Sequence, residues 1–134
     1  MTGRPEVTEL RLVVTAPDYE QALRFYRDVL GLPALEEWDS PEGQGIVLDA
    51  GRATLEILSP DQAALVDRIE AGARVSGPVR LALQVGDSTA TAQRLVDGGA
   101  RRVADPVVTP WNHRNARVQA PDGMQLTLFE LPED

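Results

Sequence analysis

Three charged side chains occupy positions in strand-like runs from which they could act together. Arg11 opens the alternating run 11–16, Arg80 opens the alternating run 80–85, and Glu56 lies in a third, largely apolar run. Because side chains alternate between the two faces of a strand, the apolar neighbours face the helices and the three charges are predicted to meet on the other, concave face. The group could be a structural ion cluster, or its guanidinium groups could bind an anionic or carbonyl oxygen of a ligand. The sequence leaves both alternatives open.

Two tryptophans and one histidine stand in turn-rich segments. Trp38 lies near a predicted hairpin, whereas Trp111 and His113 lie in the polar loop 109–115. An indole at a cavity mouth can stack on a planar ligand. Alternatively, the indole could form a dimer contact or fill space within its own loop. His113, with an unperturbed pKa of about 6.5, could act as a general base or could simply be solvated.

Further side chains have the strand parity that places them on the same concave face. Most of them are small or neutral and polar, which suits orienting a ligand by hydrogen bonds better than it suits acid–base chemistry. Acid–base chemistry would therefore rest on Glu56 and His113. The other predicted ligand-binding residues are Val13, Thr15, Thr54, Gln84, Gln125, Thr127 and Phe129.

The composition excludes several kinds of chemistry. The 134 residues include 13 arginines, 21 acidic residues and one histidine, with no lysine and no cysteine, for a net charge of −8. An acidic chain without a basic stripe is a poor partner for nucleic acid. Thiolate nucleophiles, zinc–thiolate sites and Schiff bases are excluded, and a single histidine cannot complete a His₃ or His₂-carboxylate metal site within one chain. No run is long and apolar enough for a membrane span, and residues 1–6 lack an apolar signal core, so a cytoplasmic protein without a membrane partner is expected.

The elements that must position these residues follow a repeated order. The run 11–16 predicts a strand. Asp18 with Gln21 is typical of a helix start, apolar residues at helical spacing as far as Val29 and Leu30 give that helix a core-facing side, and Gly31 is typical of its end. A connector helix is predicted from Pro60, with an apolar side formed by Leu65, Val66 and Ile69. The remaining predicted elements are strands at 34–38, 45–49, 53–58, 80–85, 101–104, 116–119 and 125–130, and a helix at 87–98.

An internal repeat relates the two halves of the chain. Residues 11–18 align with residues 80–87 without a gap, each segment beginning with arginine and ending with aspartate. A repeat of this kind predicts an α+β fold of two tandem βαβββ modules. The predicted bounds are 8–58 for the first module, 59–78 for the connector and 79–130 for the second module, within a single domain 1–134.

Three segments resemble the vicinal oxygen chelate superfamily, which includes glyoxalase I, extradiol dioxygenases and bleomycin-resistance proteins. Residues 18–31 resemble its first helix, and residues 53–57 and 120–128 resemble the ends of its two modules. The resemblance implies that the modules form half-barrels around a ligand cavity. It also implies that metal-dependent members place their ligands at the positions held here by Arg11, Glu56, Arg80 and Thr127. Only Glu56 could bind a metal, because a guanidinium group has no free lone pair, so neither a metal nor another cofactor is expected.

These features favour a metal-independent small-molecule binding protein that sequesters an antibiotic-type natural product. The resemblance implies bulky, polycyclic or aromatic ligands and a homodimer. The alternative is a metal-independent lyase, isomerase or natural-product tailoring enzyme, in which Glu56 moves a proton while Arg11 and Arg80 stabilise an oxyanion or enolate. The sequence leaves open which ligand binds, and whether the barrels close within one chain or between two.

Overall fold

Eight strands and three α-helices make up the part of the chain described by the computed structural model, residues 6–132. Residues 1–5, part of the segment from which a cytoplasmic location was expected, lie outside that range, as do residues 133–134. The strands are β1 (Glu9–Thr15), β2 (Ala34–Ser40), β3 (Gly43–Asp49), β4 (Thr54–Leu58), β5 (Val79–Gln84), β6 (Arg101–Val108), β7 (Arg114–Gln119) and β8 (Gln125–Glu130). The helices are α1 (Tyr19–Leu23), which continues as a π-helical segment (Arg24–Val29), α2 (Pro60–Ala71) and α3 (Ser88–Asp97). Within residues 6–132, none of these helices has the length and apolar content that crossing a membrane requires.

All eight strands join in one open sheet, in the order β2-β3-β4-β1-β5-β8-β7-β6. In each half, the first strand pairs in parallel with the last, β1 with β4 and β5 with β8. The halves meet where β1 and β5 pair antiparallel, with Leu12 opposite Leu81. The predicted α+β class and the repeated βαβββ order are therefore confirmed, and the two halves join side by side within one chain.

The helices divide between the two faces of the sheet. On one face, α1 covers a cluster that contains Ile57, and α3 covers a cluster that contains Leu128. On the opposite, concave face, Ala63 of α2 packs with Phe129. Because successive strand residues point in opposite directions, Glu56 faces α2 although its neighbour Ile57 faces α1.

The first helix departs from the single α-helix predicted over residues 18–31. Its start is as predicted, since the Asp18 side chain accepts a hydrogen bond from a backbone amide of the first turn at 3.0 Å. Beyond α1 the chain is π-helical, and the amide of Leu30 donates to the carbonyl of Phe25 at 2.8 Å. The wider turn breaks the 3.6-residue spacing on which the prediction was based. Val29, which that spacing assigned to the core, is 76% exposed.

The connector helix buries a different side from the one predicted. Val66 is buried as expected, but Leu65 and Ile69 remain partly exposed. Asp67 and Glu70 are instead 1% and 3% exposed. The prediction was wrong because it considered apolar residues alone, whereas α2 lies on the concave face against a guanidinium group of β7 that pairs with both carboxylates.

The second half of the sheet has longer strands than the runs 101–104 and 116–119 predicted. β6 extends to Val108 and β7 begins at Arg114, with two irregularities in the register between them. The connecting loop is correspondingly shorter. Asn115, expected in that loop, is a buried strand residue that faces the cavity described next.

Candidate functional site

A cavity of about 420 Å³ opens on the concave face, between the central strands and α2. This volume falls within the range of small-molecule sites, roughly 300–1,000 Å³. The predicted residues that line it are Arg11, Trp38, Glu56, Arg80, Trp111, His113, Thr127 and Phe129. They come from both halves of the sheet, so the pairing of β1 with β5 is what brings them together.

Five other predicted residues are not part of the cavity wall. They are Val13, Thr15, Thr54, Gln84 and Gln125. Val13 is buried in the cluster beneath the cavity, and the Thr54 hydroxyl donates to the carboxylate of Glu9 at 2.7 Å. Thr15 and Gln84 stand at the far ends of β1 and β5. Strand parity selects the correct face but does not say which level along the strand the cavity occupies.

Sequence reasoning missed several lining residues, above all on α2. They are Glu36, Gln62, Val66, Glu70, Ala82 and Asn115. The spacing of Gln62, Val66 and Glu70 is i, i+4 and i+8, which places them on one face of a helix. That spacing was a usable signal, but two of the three residues are polar and a search for apolar periodicity passes over them.

Three contacts hold Arg11 at one side of the cavity. Its Nε donates to Oε2 of Glu9 at 2.7 Å, and its guanidinium carbon lies 4.8 Å from the centre of the Phe129 ring. Its Nη1 is 3.8 Å from Oε1 of Glu56. Glu9, which is not among the predicted site residues, is therefore the nearer carboxylate. The predicted group of Arg11, Glu56 and Arg80 is not one hydrogen-bonded cluster.

Arg80 and Glu56 face the cavity with few partners of their own. Arg80 is 7% exposed, and its Nη1 donates to Oγ1 of Thr127 at 2.8 Å. The Glu56 side chain is 15% exposed and accepts no hydrogen bond from residues 6–132. Burial lowers the pKa of Arg80, while it raises the pKa of Glu56 against the opposing effect of Arg80 and Arg11. Glu56 thus holds a proton more readily than an ordinary carboxyl group does, and it is free to contact a ligand.

Four aromatic rings contribute to the cavity wall. The His113 imidazole stacks on Phe129, with ring centres 6.0 Å apart and planes 20° apart, and the Trp111 ring meets His113 edge-on at 6.5 Å. Trp111 is 40% exposed, whereas Trp38 is partly buried against the cluster beneath the cavity. Burial, and then the charge of Arg11, lower the pKa of His113. Its imidazole is therefore neutral at pH 7 and can accept a proton or a hydrogen bond.

A buried ionic network ties α2 to β7 beside the cavity. The Arg117 side chain has no exposed surface, and its Nη1 and Nη2 lie 3.0 Å from Asp67 and 2.6 Å from Glu70. Arg74 pairs with the other oxygen of Asp67 at 2.8 Å. Burial alone would raise the pKa of Asp67, but hydrogen bonds from Ser76, Arg74 and Arg117 hold that pKa well below its usual range. The ionised network fixes α2, and with it one wall of the cavity.

Comparison with known families agrees with this fold. The model of the Glyoxalase/Bleomycin resistance protein/Dioxygenase superfamily matches residues 10–128. The chain belongs to this superfamily.

Individual members of the glyoxalase superfamily show similarity over nearly the whole chain. A probable lactoylglutathione lyase from Synechocystis sp. is 27% identical over 130 residues, which cover 90% of this chain and 93% of that protein. Methylmalonyl-CoA epimerase from Mycobacterium tuberculosis superposes with a TM-score of 0.69 at 21% identity, covering 99% of this chain and 94% of that one. A variant of the Streptomyces coelicolor methylmalonyl-CoA epimerase, in complex with 2-nitronate-propionyl-CoA, gives a TM-score of 0.67 at 20% identity, covering 95% and 99%. At these identities the solved structures establish the shared fold.

The resemblance to the glyoxalase superfamily implies that the metal-ligand positions of its metal-dependent members correspond here to Arg11, Glu56, Arg80 and Thr127. Arg80 and Thr127 occupy two of these positions and are hydrogen-bonded to each other. Arg11 occupies a third, and guanidinium nitrogens have no lone pair to give to a metal. Within residues 6–132, no group of three or more histidine, cysteine, aspartate or glutamate residues is placed to hold an ion. The residues present do not fit a metal.

We therefore expect the purified protein to hold well under one transition-metal ion per chain after dialysis, measured by elemental mass spectrometry. Two cations at the ligand positions oppose a third by Coulomb repulsion. A variant with Arg11→His, Arg80→His and Thr127→Glu, which restores donor groups, serves as the control and should gain metal content. One tightly bound zinc, nickel or iron ion per wild-type chain would contradict the prediction.

Proposed function

We propose that the protein binds a small planar organic molecule in this cavity, without a protein-bound metal, and holds it unchanged. One observation carries the proposal: four aromatic rings line a cavity whose wall also holds the Arg80 guanidinium group, hydrogen-bonded to the hydroxyl of Thr127. Aromatic faces supply a large apolar contact of defined geometry to a flat ligand. The polar groups between them can orient that ligand by hydrogen bonds.

The ligand class that we propose is an antibiotic-type natural product with a polycyclic or aromatic part. Such a molecule can place its flat face against the indoles of Trp38 and Trp111, which both line the cavity. Bleomycin resistance proteins belong to the same superfamily. Binding without chemical change would keep the compound from its target, so the biological role that we propose is sequestration.

A panel of polycyclic antibiotics tests this proposal through tryptophan fluorescence. We expect at least one compound to change the emission on binding, because stacking moves an indole out of water. Trp111→Ala should then weaken the affinity by about 1–3 kcal/mol, the range for truncating an aromatic anchor. The molecular mass of the recovered compound, measured by mass spectrometry, should be the same as before binding.

Phe25→Ala provides the matched control. This ring is 55% exposed on the π-helical segment and is not part of the cavity wall, so its removal should leave the affinity as it is. Full affinity in Trp111→Ala would remove Trp111 from the site. A panel in which nothing binds would contradict the proposed function.

The state of Glu56 favours a second candidate function, proton transfer in a lyase, isomerase or tailoring reaction. The carboxylate accepts no hydrogen bond within residues 6–132, and burial raises its pKa toward the values typical of general bases. Arg11 and Arg80 could stabilise the enolate or oxyanion that forms when such a base removes a proton. Recovery of a bound compound as a different product would favour this candidate, provided that Glu56→Gln abolishes the conversion.

We also propose that two copies of the chain form a homodimer. Four large apolar side chains of the π-helical segment and the following residues are more than half exposed: Phe25, Val29, Leu30 and Leu35. Burying them against a second copy would remove this surface from water. Sedimentation at micromolar concentration should therefore give the mass of two chains, and Val29→Asp should shift it toward one. A wild-type mass near that of one chain would contradict the proposal.

A further inference from the structure

Glu56 and Arg80 stand on opposite sides of one buried residue. In the sheet, Val13 of β1 is paired with Glu56 of β4 on one side and with Arg80 of β5 on the other. The two side chains thus lie in the same row of the concave face, with Cα atoms two strand spacings or roughly 10 Å apart. Val13 between them is 2% exposed and packs in the cluster beneath the cavity. Both charged groups line the cavity.

Neither group uses the other as a partner. Within residues 6–132, no nitrogen of Arg80 forms an ion pair with a carboxylate, and its one side-chain hydrogen bond goes to Thr127. The neighbouring cation, Arg11, forms its close ion pair with Glu9, from Nε to Oε2 at 2.7 Å. Its Nη1 is 3.8 Å from Oε1 of Glu56, which is too long for a hydrogen bond. The cavity therefore offers an acceptor at Glu56 and a donor at Arg80, and both groups are part of its wall.

When Glu56 is ionised, these two groups have opposite roles in hydrogen bonding. An ionised carboxylate only accepts, and a guanidinium group only donates. A ligand group that satisfies both must present a donor and an acceptor side by side. We infer that the ligand carries an N–H or O–H donor beside a carbonyl oxygen, as in a primary amide, a lactam or a hydroxyl next to a ketone, and that this neutral group bridges Glu56 and Arg80. The inference rests on the proposed function, because it names the polar part of the planar ligand.

Three compounds with the same naphthalene ring separate this chemistry from its alternatives. 2-Naphthamide offers a donor and an acceptor, methyl 2-naphthoate offers acceptors only, and 2-naphthoate offers a negative charge. The affinities are measured by titration calorimetry at pH 8, which favours the ionised form of Glu56. The amide should bind about tenfold more tightly than the ester, because the amide N–H donates a hydrogen bond to Glu56 that the ester cannot form. The carboxylate should bind more weakly than the amide, because Glu56 repels it.

Glu56→Gln should reverse the order of the amide and the carboxylate. The glutamine side chain can donate as well as accept, and it removes the negative charge, so both of its effects favour 2-naphthoate beside Arg80. A ratio of two affinities is the readout, since any general loss of fit affects both compounds alike. Glu37→Gln is the matched control: it removes the same charge from an exposed residue of β2 outside the cavity wall, and it should leave the order as in the wild type.

Each outcome decides the inference. Equal binding of amide and ester by the wild-type protein, or an unchanged order in folded Glu56→Gln, would overturn the inference while leaving the planar-ligand site in place. Binding of none of the three compounds would overturn the inference and also count against the proposed function. If Glu56→Gln fails to fold, the three wild-type affinities decide on their own, and only the order with the amide first supports the inference.

Discussion

Replacement of Arg117 by methionine is expected to lower the free energy of unfolding by about 3–5 kcal/mol, the cost of breaking a buried ion pair from one side. The guanidinium group is fully buried and contacts both Asp67 and Glu70, which are themselves buried. Methionine keeps much of the side-chain volume but leaves the carboxylates in a low-dielectric site. Asp67 retains Arg74 and Ser76, whereas among residues 6–132 Glu70 retains only the amide of Asn115. The uncompensated charge of Glu70 should therefore dominate the loss.

Urea denaturation followed by tryptophan fluorescence or circular dichroism measures this loss. The control is Arg94→Met, the same substitution in an ion pair with Glu6 whose two side chains are 54% and 63% exposed. Exposed pairs of this kind contribute about 0–1 kcal/mol. Adding Glu70→Gln to Arg117→Met should recover part of the free energy of unfolding, because the uncompensated charge of Glu70 is then removed. If the two arginine variants lose the same amount, the buried network does not stabilise the fold.

Gly45→Ala is expected to destabilise the protein by about 1–3 kcal/mol, the usual cost of overpacking, and to weaken the binding of planar ligands. Gly45 lies directly opposite Trp38 in the pairing of β2 with β3. A methyl group there would overlap Cζ2 and Cε2 of the indole and would lie 2.8 Å from its Nε1. The ring rests on the glycine backbone, so the variant must displace it. Because Trp38 lines the cavity, the same displacement changes the ligand site.

Gly77→Ala is the control for this prediction. A Cβ at Gly77 meets no atom within 4 Å, so the substitution should change the free energy of unfolding by no more than about 0.5 kcal/mol. Denaturation curves of both variants, together with calorimetric titration of a ligand identified in the panel, give the two measurements. Wild-type stability and affinity in Gly45→Ala would show that Trp38 does not depend on the glycine.

Local patterns in the sequence were sufficient to predict the fold class, the repeated modules and the face of the sheet on which the cavity lies. Alternation identified the strands that carry Arg11, Glu56 and Arg80, and all three line the cavity. The Asp18 cap and the internal repeat are likewise local features that the structure retains. The physical reason is that side-chain direction along a strand and hydrogen bonding at a helix start depend on neighbouring residues alone.

Contacts between distant segments decided the rest. Burial of Asp67 and Glu70 depends on Arg117, about fifty positions later in the chain. The pairing of β1 with β5 places Glu56 and Arg80 on either side of Val13, and no local pattern in either strand specifies that register. A buried charge is stable only where a partner from another element meets it, and the level of a cavity along a strand depends on which helix covers it. The sequence by itself therefore determined which face of which strands bears Arg11, Glu56 and Arg80, and only the tertiary structure decided which of those side chains meet.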